Sequence, residues 1–431
     1  MIYFGTDGIR GVAIQDITQE ICLKCGNAVG SLKSKAKIIV GTDTRVSASF
    51  MLTSFASGAT LAGADIYFVG VVPTPAISFL VKKHKADFGV MITASHNPPE
   101  YNGIKVFNSK GEKIETDLQI EIERRFAKQT ICQNMDVGKF VFKPRYINEY
   151  IDFVCETGIR LNGLKVVLDS ANGASTRTAS KIFKKLGAEV IKIGTSLDGK
   201  EINNNCGALF PQKVSSIVKK TGADIGFAFD GDADRIVLVD EKGNICDGDQ
   251  ILLFLTKMYI KYGLLKTGAI VSTIQTNIAI ENEIEKLGLR LVRTDVGDKF
   301  VCEELAKKQL QIGGEQSGHI ILTDYENTGD GVLCAVQICK FLKITGEKIS
   351  QNLFFDLTKQ HSKDVMLKDK YGVINSAKFK IAVSECEHLL NGKGRIVTRA
   401  SGTEPKIRIM VETQDETLAG EILTRLFEAT K

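Results

Sequence analysis

Long apolar runs, blocks of one charge and a secretory leader are all missing from this sequence of 431 residues. No apolar stretch approaches the roughly 20 residues that a membrane-spanning helix needs. The N-terminal segment lacks both the charged and the apolar part of a signal peptide, so we expect no secretory export. The net charge of +5 is spread along the chain without a Lys/Arg block, which argues against a nucleic-acid or membrane partner.

Three motifs of nucleotide-binding proteins and hydrolases are missing as well. The chain has no G-x-x-x-x-G-K-[ST] loop, and the early glycines at 5, 8 and 11 do not form G-x-G-x-x-G. It also has no G-x-S-x-G elbow, the strained turn that presents the serine of many hydrolases. His96 directly follows Ser95, and a sequence neighbour is expected to be poorly placed to take the serine proton. The sequence therefore disfavours a serine hydrolase.

Ten cysteines are scattered through the chain instead of being concentrated in a small segment. Such usage is typical of reduced thiols in the cytoplasm, which is where we expect the protein. Cys22 and Cys25 form a C-x-x-C pair, but no second pair or histidine cluster accompanies them. Because a structural zinc ion needs about four ligands, we expect both cysteines to pack in the core on one face of a helix.

Alternating strand and helix patterns run through most of the chain and predict an α/β fold with mostly parallel sheets. A chain of this length is too long for one core, so several domains are expected. We place them at 1–150, 151–245, 246–355 and 356–431, with the last smaller and of α+β type. Within the first, Thr74 before Pro75 predicts a helix start with Thr74 as the N-cap.

The T-A-S-H-N-P motif at 93–98 follows an apolar run, 88–92, that predicts a short buried strand. Pro98 cannot continue a strand, so the chain must turn there. Ser95 and His96 are therefore expected on a loop at the C-terminal end of the strand, where ligands bind in open α/β sheets. A plain polar turn uses the same residue types, and this motif alone leaves both interpretations open.

The D-G-D-A-D-R motif places three carboxylates, Asp230, Asp232 and Asp234, on a loop between two apolar runs. Three carboxylates so close together repel one another unless a cation lies between them. Oxygen ligands of this kind favour Mg²⁺ or Ca²⁺. The spacing also fits an EF-hand, but Arg235 stands where that motif needs glycine and a strand-like run follows. A solvated acidic turn is the plain alternative.

Two further polar loops have the composition of ligand-binding loops. R-A-S-G-T-E-P at 399–405 combines a guanidinium, two hydroxyls and a glycine, which suits a phosphate cradle, although a plain turn would also fit. G-E-Q-S-G-H at 314–319 places short polar groups between glycines, which suits hydrogen bonds to sugar hydroxyls.

In this order, one in each unit, the four motifs resemble those of the α-D-phosphohexomutase superfamily across essentially the whole chain. F-G-T-D-G-I-R-G at 4–11, G-E-Q-S-G-H and D-S-A-N-G-A at 169–174 are most similar to members that act on amino-sugar phosphates. Two positions depart from the family pattern. Lys299 stands where arginine is expected, and Cys206-Gly207 is not followed by the usual histidine. Both bear on the choice of sugar and leave the chemistry intact.

The resemblance implies four domains around a cleft, three α/β domains with mixed sheets and a smaller α+β C-terminal domain. It implies that a phosphorylated serine exchanges its phosphoryl group with a hexosamine monophosphate through a hexosamine bisphosphate, which also serves as activator. Mg²⁺ is the implied cofactor, a small phosphosugar the implied partner, and a homodimer one expected assembly. The alternatives are the same chemistry on glucose or mannose phosphates, a Mg²⁺-dependent sugar phosphatase, and a binder without catalytic activity.

The resemblance also assigns roles to single residues. Lys105 and His319 are the expected general base and acid. The full set of expected catalytic residues is Ser95, Lys105, His319, Arg10 and His96. The expected substrate-binding residues are Glu315, Ser317, Arg399, Ser401, Gly402, Thr403, Arg408 and Arg235. The expected metal ligands are Ser95, Asp230, Asp232 and Asp234.

Overall fold

The computed structural model describes Phe4 and residues 8–127, 131–353, 356–401 and 404–431. Their strands form four sheets, of six, five, four and three strands. The first three sheets are mixed and carry helices, and the fourth is small and antiparallel. The predicted architecture of three mixed α/β units and a smaller C-terminal unit is confirmed.

The first unit contains six strands and five helices. Its strands are β1 (Ile9–Val12), β2 (Lys37–Thr42), β3 (Asp65–Val71), β4 (Phe88–Ile92), β5 (Tyr101–Phe107) and β6 (Phe140–Phe142). Its helices are α1 (Gln19–Gly30), α2 (Ala48–Leu61), α3 (Thr74–Lys83), α4 (Thr116–Phe126) and α5 (Tyr146–Thr157). The sheet order is β1-β5-β4-β2-β3-β6, in which β2, β3, β4 and β6 are parallel and β5 and β1 are antiparallel additions. Cys22 and Cys25 on α1 are fully buried, as expected.

The second unit is a five-stranded sheet in the order β11-β10-β9-β7-β8. Its strands are β7 (Lys165–Asp169), β8 (Glu189–Ile193), β9 (Ile225–Phe229), β10 (Ile236–Val239) and β11 (Ile245–Cys246). Its helices are α6 (Ala179–Lys185) and α7 (Gln212–Thr221), with 3-10 turns at Ala174–Arg177 and Gly207–Leu209. β9 and β10 form an antiparallel hairpin. The D-G-D-A-D-R motif at 230–235, called the metal loop below, lies between them.

The third unit is a four-stranded sheet in the order β13-β12-β14-β15. Its strands are β12 (Ala269–Thr273), β13 (Arg290–Thr294), β14 (Ile312–Gly314) and β15 (Ile320–Leu322). Its helices are α8 (Gly248–Lys261), α9 (Ile278–Lys286), α10 (Asp298–Lys308), α11 (Gly331–Thr345) and α12 (Ile349–Asn352). The G-E-Q-S-G-H loop joins the antiparallel pair β14 and β15.

The fourth unit is a three-stranded antiparallel sheet in the order β16-β18-β17. Its strands are β16 (Gln360–Met366), β17 (Gly394–Ala400) and β18 (Lys406–Thr413). Its helices are α13 (Lys370–Asn375), α14 (Ala377–Leu390) and α15 (Glu416–Ala429). The R-A-S-G-T-E-P loop connects β17 to β18, and Arg399 and Arg408 face one another across that pair.

The hydrophobic cores explain how the loops are brought together. One large cluster runs through the first three units and includes Ile39, Phe227 and Phe254. The fourth unit has a core of its own, built around Phe379 and Ile409. The first three loops therefore share one packed body, whereas the fourth loop is carried by a separately packed unit.

Candidate active site

Ser95 lies directly after β4, at the C-terminal edge of the first sheet, as the sequence predicts. Its side chain is buried, and its Oγ donates a hydrogen bond to Asp230 Oδ2 at 2.6 Å. Its backbone is left-handed, with φ of 52°, a region that few residues other than glycine adopt. This conformation turns the serine hydroxyl toward the second unit.

Asp230, Asp232 and Asp234 form a buried cluster in which one carboxylate oxygen from each residue lies within 4.8 Å of the other two. Position 231 has room only for glycine, because a Cβ there would clash with the carbonyl oxygen of Ser95 at 2.5 Å. Asp232 Oδ1 and Asp234 Oδ1 are buried and have no hydrogen-bond partner among the described residues. Unpaired carboxylate oxygens converging in one place are the donor set of a divalent metal ion, so the residues present fit such an ion.

Lys105, on β5, places its ammonium group among these carboxylates. Its Nζ donates to Asp232 Oδ2 at 2.9 Å and to Asp234 Oδ2 at 3.0 Å, and the side chain is buried. Burial would raise the pKa of Asp234, but the charge of Lys105 and the nearby His319 hold it well below its usual value. Burial and the charges of its two neighbouring carboxylates raise the pKa of Asp230.

Thr74, at the start of α3, also contacts the cluster. Its Oγ1 donates to Asp232 Oδ2 at 2.5 Å, and its N–H donates to the Asp232 carbonyl at 2.9 Å. The prediction that Thr74 caps α3 is wrong, because Pro73 occupies the N-cap position and no side chain caps the helix. The hydroxyl is used instead to join the first unit to the metal loop.

His96 and Arg235 lie beside Ser95. The Nδ1 atom of His96 is 3.4 Å from Ser95 Oγ, nearer than expected for a sequence neighbour, and 3.1 Å from Arg235 Nη1. Burial and the charges of Arg235 and Arg10 lower the pKa of His96 to about 3, so its ring is neutral. Arg10 on β1 joins this group through a hydrogen bond from Nη1 to Asn97 Oδ1 at 3.3 Å.

His319 reaches the cluster from the third unit. Its Nδ1 lies 3.8 Å from Asp234 Oδ2, and its Nε2 accepts a hydrogen bond from the N–H of Gly329 at 3.0 Å. Burial lowers the pKa of His319, but the nearby carboxylate of Asp234 and the charge of Asp298 outweigh it and raise the pKa overall. In this arrangement the ring proton is on Nδ1, and a second proton would displace the Gly329 contact from Nε2.

Glu315 and Ser317 differ in their surroundings although they share one loop. Glu315 is buried, its Oε1 accepts from the N–H of Gly297 at 3.1 Å, and burial raises its pKa. Ser317 is exposed at the turn of the loop. Gly318 follows with φ of 92°, and a Cβ there would lie 2.1 Å from the Ile236 carbonyl oxygen. The loop is thus pressed against the strand that leaves the metal loop.

The R-A-S-G-T-E-P loop of the fourth unit places arginine side chains beside short polar groups. Arg399 is partly buried. Burial and the charge of Arg408 lower its pKa, whereas the charges of Asp295 and Glu315 in the third unit act in the opposite direction. Arg408 Nη2 donates to Glu404 at 3.3 Å, and Ser401 Oγ accepts from the N–H of Glu404 at 3.2 Å. The predicted binding residues Gly402 and Thr403 lie outside the described residues.

Two residues that hold the Ser95 loop were not predicted from the sequence. Buried Arg45 and Asn203 both donate hydrogen bonds to backbone carbonyls of that loop. These contacts join segments that are distant in the sequence, since Asn203 is 108 positions from Ser95. Neither local spacing nor residue type could have revealed them.

A serine hydroxyl set against a buried carboxylate cluster and surrounded by basic side chains is the arrangement of a metal-assisted phosphoryl-transfer enzyme. The comparisons name the family more closely. Models of the four phosphoglucomutase/phosphomannomutase domains match residues 1–131 for domain I, 145–243 for domain II, 247–358 for domain III and 359–429 for the C-terminal domain. The chain belongs to the phosphoglucomutase/phosphomannomutase family, and the predicted superfamily is confirmed.

Curated relatives and a solved structure agree with this membership. The chain is 41% identical over 433 residues to a phosphoglucosamine mutase of Clostridium novyi, covering 96% of this chain and 95% of the relative. It is 40% identical over 440 residues to the phosphoglucosamine mutase of Bacillus subtilis, covering 100% and 98%. A phosphoglucomutase/phosphomannomutase family protein of Burkholderia thailandensis has the same fold, with a TM-score of 0.84 at 22% identity over 99% of this chain and 96% of that one.

None of the helices in the described part of the chain is long and apolar enough to cross a membrane.

Proposed function

We propose that this chain is a phosphoglucosamine mutase that interconverts glucosamine 6-phosphate and glucosamine 1-phosphate through a phosphorylated Ser95. The observation that carries the proposal is the 2.6 Å hydrogen bond from Ser95 Oγ to Asp230, one of three clustered buried carboxylates. The curated relatives of that name, at about 40% identity over the full length, support the choice of sugar.

Phosphoryl transfer from Ser95 to the sugar forms one oxygen–phosphorus bond and breaks another. A sugar hydroxyl attacks the phosphorus, its proton passes to a general base, and Ser95 Oγ leaves and takes a proton from a general acid. The bisphosphate then reorients, and its other phosphoryl group returns to Ser95, so the net reaction is an isomerisation. Such transfers depend chiefly on positioning and on stabilising charge. Lys105 and His319 are the proposed base and acid.

Asp230, Asp232 and Asp234, with the phosphoryl group on Ser95, would hold Mg²⁺. When bound, the ion would withdraw charge from the phosphoryl oxygens, and oxygen ligands with unpaired acceptors support this choice of metal. Arg10, His96 and Arg235 border the same space and are proposed to hold the transferring phosphoryl group in line. Neutral His96 can do so only as a hydrogen-bond partner.

The third and fourth loops are proposed to hold the rest of the substrate. Glu315 and Ser317 would bind sugar hydroxyls that are present in both orientations of the bisphosphate. The second phosphate would lie on the fourth loop, whose proposed residues are Arg399, Ser401, Gly402, Thr403 and Arg408. The guanidinium groups suit this role because arginine binds phosphate through two parallel hydrogen bonds. We keep the proposed domain boundaries at 150/151, 245/246 and 355/356. Ten free thiols support the cytoplasm as its compartment.

Intact-protein mass spectrometry on purified full-length chain tests the covalent step. We expect a partly phosphorylated population that disappears in Ser95→Ala together with bisphosphate-dependent conversion of glucosamine 6-phosphate. Ser216→Ala is the control, because Ser216 is an exposed serine on α7 whose hydroxyl bonds only its own helix. Full turnover by Ser95→Ala would contradict the mechanism. Release of inorganic phosphate without isomerisation would favour a phosphatase instead.

A further inference from the structure

The carbonyl oxygens of the Ser95 loop converge on one buried guanidinium. Arg45 Nη2 donates to the carbonyls of Ser95 at 2.9 Å and Asn97 at 2.7 Å. Its Nη1 donates to the carbonyl of Tyr101 at 2.9 Å and to that of Pro98. The loop is thus organised from within the first unit by a single side chain that is 2% exposed.

Asn203 contacts two of the same carbonyls from the second unit. Its Nδ2 donates to the carbonyl of Ser95 at 2.8 Å and to that of Asn97 at 3.0 Å. Asn203 is buried and left-handed, with φ of 58°, and its own N–H is bound to the Ala171 carbonyl at 2.9 Å. The backbone of Asn203 is therefore held within the second unit, and its side-chain amide extends from there to the Ser95 loop.

We propose that Asn203 is a positioning residue for phosphoryl transfer, which holds Ser95 in its left-handed conformation so that Oγ stays directed at Asp230. This inference rests on the proposed function. A non-glycine residue in this region is held there only when its surroundings compensate the strain, and two donors on the Ser95 carbonyl supply such compensation. Because the Asn203 amide group binds backbone of the loop, its loss should slow the transfer step and leave sugar binding in place.

Asn203→Gly tests this cleanly. Glycine adopts the left-handed backbone without strain, so the substitution removes the amide group and spares the chain geometry. Asn205→Gly is the matched control, because Asn205 is also left-handed, lies in the same loop and is exposed, and its Nδ2 donates to the neighbouring Asn204. We expect Asn203→Gly to lower kcat at least tenfold with KM within twofold of the parent. Asn205→Gly should stay within twofold in both.

The rate at which a dephosphorylated chain takes a phosphoryl group from glucose 1,6-bisphosphate gives a readout that does not require conversion of glucosamine phosphates. In that step the sugar oxygen–phosphorus bond breaks, a bond to Ser95 Oγ forms, and the serine proton passes to the sugar oxygen. Asn203→Gly should slow it at least tenfold. If the parent chain is phosphorylated but does not convert glucosamine phosphates, the proposed substrate is wrong. The phosphorylation rates of Asn203→Gly and the parent still decide the role of Asn203 in that case.

Asn203→Asp supplies a second test should the glycine variant be unstable. A carboxylate in this place faces two carbonyl oxygens, and only its protonated form can donate a hydrogen bond. Kcat relative to the parent should therefore rise as the pH is lowered from 8 to 6, whereas Asn205→Asp should follow the parent at every pH. Unchanged phosphorylation rates, or a change in KM alone, would overturn the proposal.

Discussion

Replacing Lys105 with methionine should destabilise the folded chain strongly, and magnesium should restore more stability to this variant than to the parent. Lys105 is buried and donates to Asp232 at 2.9 Å and to Asp234 at 3.0 Å. It lies among three buried carboxylates, so its removal leaves their negative charges without this cation. Methionine keeps most of the apolar stem and fills the space, so the loss reports the charge and not a cavity.

Removal of one partner from a buried ion pair costs about 3–5 kcal/mol, because an uncompensated charge remains in a medium that solvates it poorly. A divalent ion bound by the same carboxylates offsets part of this cost. An ion present at 100 times its dissociation constant stabilises the fold by about 2.7 kcal/mol. In the variant the carboxylates lack the charge of Lys105, so the ion should bind more tightly and stabilise the fold further. The parent already has an ammonium group there, so its gain from magnesium should be smaller.

Thermal unfolding with and without Mg²⁺, after chelation, measures both quantities. Lys82→Met is the matched control, since Lys82 pairs with the buried Glu326 at a place remote in sequence from the metal loop. It should lose stability but show the same magnesium response as the parent. An equal magnesium response in Lys105→Met and the parent, or an unchanged unfolding temperature without metal, would refute the reasoning.

Two further predictions follow, one from the backbone and one from burial. Gly318→Ala should cost several kcal/mol and lower activity, because strain at positive φ costs about 1–3 kcal/mol and the new Cβ would meet the Ile236 carbonyl at 2.1 Å. Gly346→Ala, also at positive φ but with open space around it, should cost only about 1 kcal/mol in the same unfolding assay. Burial raises the pKa of Asp330 from its ordinary 3.8 to about 7, so its contribution to stability is fully present below 3.8 and is lost progressively as the pH rises to about 7. Asp330→Asn cannot ionise and keeps one acceptor oxygen, which can accept from both Tyr150 and the N–H of Leu333. Its unfolding temperature should therefore fall less than that of the parent between pH 5 and 8. A parallel fall would contradict this assignment.

The sequence was most informative where chemistry is concentrated in short segments. Ser95, Asp230, Asp232 and Asp234 were placed at strand ends from local patterns alone, and the structure brings them together. Ligands bind at the C-terminal ends of parallel strands, so each motif could be placed at the edge of its own sheet. The contact between the first and second sheets at these edges depends on packing between the units, which no local pattern shows. The apolar run 88–92 likewise predicted β4 (Phe88–Ile92), which is buried throughout.

The sequence was least informative where a contact joins distant segments. The edge strand β1 (Ile9–Val12) was not predicted, because a strand this short has too few residues to show a period. Thr74 was expected to cap a helix, since nothing local indicates that its hydroxyl bonds Asp232. Arg45 and Asn203 were not predicted, because their acceptors are backbone carbonyls of another segment.

The substrate preference tests the central claim most directly. The measurement is kcat/KM for glucosamine, N-acetylglucosamine, glucose and mannose 1-phosphates, each primed with the corresponding hexose bisphosphate. A site that bonds an amine discriminates against sugars that lack it. A mutase must also hold the sugar in two orientations, which limits how tightly it can bind any one position. We therefore predict the highest value for glucosamine 1-phosphate, with detectable activity on glucose 1-phosphate. A tenfold or greater preference for glucose or mannose 1-phosphate, equivalent to about 1.4 kcal/mol, would contradict the proposed function and leave only the family membership.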